Sequence, residues 1–178
     1  LKTVEVARAA SGDLEPVFEG EVTAIVVRGA LSEAHAGQAA NSAVEAAHRS
    51  PWDRPNRGMP GGDLGVLGVA ATPTFAHPQG PPVEGFLSGA ERHDARIAEV
   101  FEPPSDPWPR VREALEGLAG GRPVYRPRSG ASAAAWAPFT LRELGPGQQI
   151  YPHHDNHYRL PVYEHLDPDV DRTTLLSW

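Results

Sequence analysis

Apolar and polar positions alternate at the start of the chain, where Val4 and Val6 sit between polar neighbours and predict a short strand within Leu1–Arg8. A denser run, Val22–Val27, is rich in β-branched residues and predicts a buried strand. The period then lengthens. Ala36, Ala39, Ala40, Ala43, Val44 and Ala47 recur at helical spacing, Ser32 is the expected N-cap, and Glu33 stands by the positive end of that helix. So small a stripe predicts close packing against a sheet.

Residues 50–82 break the pattern, with PWDRPNRGMPGG and TPTFAHPQGPP flanking Leu64–Ala71, whose LGVLGVAA predicts one short strand. Ser88 is expected to cap a helix carrying Ile97, Val100 and Phe101. A second helix is expected from Pro107 to Leu118, with Ser105 or Asp106 as cap and Gly120-Gly121 as stop. Its stripe is Val111, Ala114, Leu115 and Leu118. From Pro123 the period returns to β, and Val124–Tyr125, Ala137–Leu144, Gln148–Pro152 and Arg172–Trp178 are predicted strands. Gly145-Pro146-Gly147 is the turn between two of them. There is no internal repeat and no coiled-coil heptad array.

The chemistry concentrates in one place. Four of the eight histidines, His153, His154, His157 and His165, fall within IYPHHDNHY and the residues just after it. His153 and Asp155 stand two apart, and on extended backbone side chains at i and i+2 share a face. One imidazole and one carboxylate on one face are two members of the 2-His-1-carboxylate set that holds non-haem Fe(II) with open positions. Two other readings stand beside this one. The cluster fits a solvated loop, and His153 with His157 has the H-x3-H spacing of a zinc site. The zinc reading needs a helix, which Pro152 and Asn156 disfavour. The iron reading needs only the extended backbone already expected.

Composition narrows the classes. The 178 residues are enough for one sizeable core, so a single domain over 1–178 is expected, with α/β support in 1–122 and a β core beginning in 123–178. A net charge of −7, with 16 scattered basic residues, argues against nucleic acid and anionic membrane as partners. The absence of cysteine removes disulfides, thiolate metal sites and a thiol nucleophile, and fits a cytoplasmic protein. No apolar stretch has the length of a membrane span. With 19 Pro and 18 Gly, the chain is loop-rich but folded. The start at Leu1 and the strand-like end at Trp178 lead us to expect a longer native protein.

Three segments in order resemble the Fe(II)/2-oxoglutarate-dependent oxygenases, and within them the carrier-independent halogenases of hapalindole-type alkaloids and their hydroxylase relatives. They are FEGEVTAIVVRGALSEAHAGQAANSAVEAA, WAPFTLRELGPGQQIYPHHDNHY and TTLLSW. The resemblance implies an α+β fold, a double-stranded β-helix (jelly roll, cupin-like) with supporting N-terminal helices, incomplete at the C-terminus as given. It implies Fe(II), 2-oxoglutarate and O2 as cofactors and a small-molecule substrate. His153 matches the first iron ligand. Asp155 falls where the halogenases carry Gly, so hydroxylation is expected rather than halogenation. Tyr158 and Ser177 match positions on the substrate side of the pocket, Leu64, Leu67 and Ala71 match a wall of it, and Trp178 falls near the co-substrate. Leu64, Leu67 and Ala71 fit an ordinary core equally well. The family's distal His and its 2-oxoglutarate-binding Arg fall past the position of Trp178. A cupin-type metalloenzyme without 2-oxoglutarate and a non-catalytic metal-binding domain are the alternatives. The oligomeric state stays open, a homodimer included.

Overall fold

The computed structural model describes residues 2–7, 14–49, 52–54, 65–68, 82–103, 105–129, 132–150 and 164. The chain divides into two compact units, Leu1–Ala46 with Val100–Tyr125 and Ala47–Glu99 with Arg126–Trp178.

In the first unit, β1 (Thr3–Val6) and β2 (Ala24–Val27) pair in parallel, Thr3 opposite Ala24 and Val6 opposite Val27. A parallel pair needs a crossover, and the short helix α1 (Glu15–Phe18) lies in it. The strand expected at Val22–Val27 is half-buried rather than buried, its sheet having two strands among the described residues. Val22, just before it, is buried. Helix α2 (Glu33–Arg49) starts as expected: the Ser32 hydroxyl accepts the backbone N–H of His35 at 3.2 Å. Its inward face is rotated from the expected one. His35, Ala39, Ser42, Ala43, Ala46 and Ala47 are at least partly buried, whereas Ala36 and Ala40 are exposed and Val44 is 56% exposed.

Two more helices lie among the described residues. The expected cap at Ser88 is wrong: α3 (Val83–Val100) begins five residues earlier, and the Ser88 hydroxyl donates back to the Gly85 carbonyl inside the helix. Phe86, Ala90, His93, Ile97 and Val100 are its buried positions, a regular four-three spacing. Phe101, expected on the helix, lies just past its end and is buried. Helix α4 (Trp108–Leu118) matches expectation closely. Asp106 Oδ1 accepts the Trp108 N–H at 2.9 Å, and Gly120 and Gly121, both at positive φ, close the C-terminus, with the Gly121 N–H on the Glu116 carbonyl. Val124–Tyr125 is not a strand. The Val124 N–H is taken by the Glu116 carboxylate instead, and Tyr125 is 80% exposed.

The second unit carries β3 (Gly65–Leu67), β4 (Arg128–Ser129), β5 (Ser132–Ala135) and β6 (Leu141–Glu143). β3 pairs antiparallel with β6 and β4 with β5. Asp53 adds a bridge to Val66 on the other side of β3. All three residues of β3 are buried. Trp52, Phe86, Ala90, Ile97 and Trp136 complete the unit's apolar core, with the Phe86 and Trp136 rings 4.7 Å apart. The strand expected over Ala137–Leu144 shortens to β6, and Gln148–Ile150 are not in a strand. Gly145–Gln148 forms the expected turn. Gln148 N–H reaches the Gly145 carbonyl at 3.0 Å, and Gly147 at φ 77° occupies the position a type II turn reserves for glycine.

Candidate functional site

Of the residues singled out for chemistry, Leu67 is described. It ends β3, is 3% exposed, and faces Leu141 in the β3–β6 register. His153, Asp155, Tyr158, Ser177, Trp178, Leu64 and Ala71 lie outside the described residues, as do the expected strand at Arg172–Trp178 and Pro152. The pairing of β3 with β6 nonetheless joins two of the predicted pieces. The Gly-rich segment that carries Leu67 runs beside the stretch leading to the His153-x-Asp155 motif.

That leading stretch is firmly held at its start. Trp136 is 8% exposed, and its backbone N–H donates to the Pro127 carbonyl at 2.8 Å. Arg126 clamps the same point: its Nε donates to the Trp136 carbonyl at 2.7 Å and its Nη2 to the Ala135 carbonyl at 3.3 Å. Nη1 of the same guanidinium bonds both carboxylate oxygens of Asp94, at 2.8 and 2.9 Å. Further along, the Phe139 ring meets His93 edge-on at 5.7 Å. The backbone bonds of β6 to β3 follow.

Among the described residues, two concavities carry polar and charged linings. In the first unit a cleft of about 590 Å³ opens beside the C-terminal end of β2, with Val27, Arg28, Ser32 and His35 on one side and Arg110 and Glu113 of α4 on the other. Its charges are largely paired: Arg28 forks onto Glu5, and Arg110 meets Glu113. His35 Nε2 lies 3.2 Å from the Asp106 carbonyl, which can only accept, so that nitrogen carries the proton. In the second unit a cavity of about 200 Å³ is lined by Asp53, Gly68, Gly85, Gly89, Arg92, His93 and Arg96. His93, 1% exposed, is its most buried polar member. Sequence reasoning gave these residues no role. The available signal was a histidine at a core position of a four-three stripe, flanked by arginines one helical turn apart.

Compared with known families, the chain matches the model of the carrier-protein-independent halogenase WelO5 over residues 1–178. It belongs to that family. No curated protein and no solved structure matches it. Membership makes the protein an Fe(II)/2-oxoglutarate-dependent non-haem iron enzyme of the oxidoreductase class, with O2 as the oxidant, and agrees with the resemblance drawn from the three sequence segments. Among the described residues no three His, Asp or Glu side chains are grouped to hold a metal ion. The donor chemistry of that motif, one imidazole nitrogen and one carboxylate oxygen, suits ferrous iron. No helix among the described residues is long and apolar enough to cross a membrane.

Proposed function

We propose that this member of the WelO5 family is a hydroxylase of a small, largely apolar metabolite, with His153 and Asp155 as two of its iron ligands in a double-stranded β-helix core. Asp155 carries the reading. In the halogenases a Gly at this position leaves a coordination site for halide, and a carboxylate here takes that site for itself. When held by these residues, iron with 2-oxoglutarate and O2 would supply the oxidation of a substrate C–H to C–OH, coupled to loss of CO2 from the 2-oxo acid to leave succinate. The rest is the work of the chain: His153 and Asp155 fix the metal, and Trp178 flanks the co-substrate. Tyr158, Ser177, Leu64, Leu67 and Ala71 wall the substrate side. The burial of Leu67 at the end of β3 agrees with a wall that is also packed as core.

Halogenation is the second reading, favoured by the name of the family itself. One experiment separates the two. The protein is loaded anaerobically with Fe(II) and 2-oxoglutarate, and the weak visible charge-transfer band of the chelate is recorded with and without chloride or bromide. A hydroxylase gives a band that halide leaves in place, and Asp155→Ala abolishes succinate formation on admission of O2. A halide-dependent shift of the wild-type band, or full succinate production by Asp155→Ala, removes the hydroxylase assignment.

A further inference from the structure

The cavity floored by His93 has a makeup that packing alone does not require. Three of its lining residues are glycines, and a Cβ built at Gly85 meets no atom within 4 Å, so the space beside α3 is open there. Gly68, at φ 117°, is confined to glycine by its backbone, and a Cβ there would come within 3.4 Å of His93 Nδ1. Arg92, His93 and Arg96 of α3 line the same cavity, Arg92 exposed, Arg96 half-buried one turn on, and His93 buried between them. Asp53 is the one carboxylate among the described residues that line it. It is committed to Arg96 Nη1 at 3.3 Å, which leaves the lining with a net positive charge from Arg92. A cavity of about 150 Å³ takes up benzene, so one of about 200 Å³ has room for one small acid.

We propose that this cavity binds a small oxyanion, the carboxylate or phosphate group of a compact acid, with Arg92 as its principal donor and Arg96 and His93 completing the cradle. A planar guanidinium matches two oxygens of such a group at once, and a charge-assisted pair of hydrogen bonds is stronger than a neutral one. The site is made of residues other than the His153-x-Asp155 motif, and the proposal stands whether the enzyme hydroxylates or halogenates.

The test uses the full chain at constant ionic strength, titrated with inorganic phosphate, acetate or chloride and followed by calorimetry and thermal unfolding. Phosphate or acetate is expected to raise the unfolding temperature saturably. Arg92→Gln, an exposed position, is expected to weaken that binding at least tenfold. Gly85→Leu, which projects into open space, is expected to abolish it while the far-ultraviolet dichroism stays native. Retention of binding within twofold in either variant overturns the proposal. So does the absence of any saturable effect, or saturation by chloride alone.

Discussion

Arg126 is the residue on which the described part of the site most visibly depends, and the consequences of removing it can be worked out. Its side chain is 21% exposed, whereas its carboxylate partner Asp94 is 64% exposed. The bonds at its two ends therefore differ in worth. An ion pair with one end so open to solvent contributes about 0–1 kcal/mol. The bond to the Trp136 carbonyl is short, part-buried and charge-assisted, a kind worth about 1.5–3 kcal/mol, and the longer one to Ala135 adds less. Arg126→Met is expected to cost about 2–4 kcal/mol and Asp94→Asn about 1 kcal/mol or less. Arg126→Lys should recover less than half of the difference, since an ammonium cannot fork between a carboxylate and two carbonyls. Urea unfolding followed by tryptophan fluorescence reads these values. At a slope of about 1–3 kcal/mol per molar urea, the Arg126→Met midpoint should fall by roughly 1 M or more. Equal losses from Asp94→Asn and Arg126→Met would refute the reasoning, because the carbonyl clamp would then contribute nothing beyond a surface ion pair.

Two further substitutions probe the neighbourhood of β3. Leu67→Ala removes a side chain that is 3% exposed and should cost about 2–5 kcal/mol by thermal or urea unfolding; an unchanged stability would mean that the side chain borders a void instead of core. Gly68→Ala places a Cβ at φ 117°, 3.3 Å from the Phe139 carbonyl oxygen and the Thr140 methyl, and should cost about 1–3 kcal/mol, measured the same way.

What was legible in the sequence was whatever local chemistry decides. The start of α2 at Ser32, the Asp106 cap and glycine stop of α4, and the Gly145–Gln148 turn each depend on hydrogen bonds spanning a few residues. Matters settled by distant partners were not legible. The face of α2 was misjudged because alanine carries little hydrophobic contrast, so His35 and Ser42 could turn inward and Val44 outward at small cost. Helix α3 starts ahead of Ser88 although Gly85, Ser88 and Gly89 are weak helix formers. Burial of Phe86 against Trp136, distant in sequence, outweighs their propensity. Val124 lost its strand to one carboxylate eight residues back.

The same division runs through the site. The spacing of His153 and Asp155 is what proposes them as ligands, and family membership over the whole chain agrees with the segments that carried the likeness. Nothing in the sequence announced that the Gly-rich segment and the stretch before the motif would become neighbouring strands. That pairing depends on three fastenings outside the motif: the Arg126 fork on Trp136, the Trp136 ring on Phe86, and Leu141 opposite Leu67. Each joins the stretch that begins at Trp136 to a residue from elsewhere in the second unit. A substitution at Arg126 or Phe86 should therefore act on the enzyme through the placement of this stretch, lowering stability and activity together, whereas one at Asp155 should remove turnover alone.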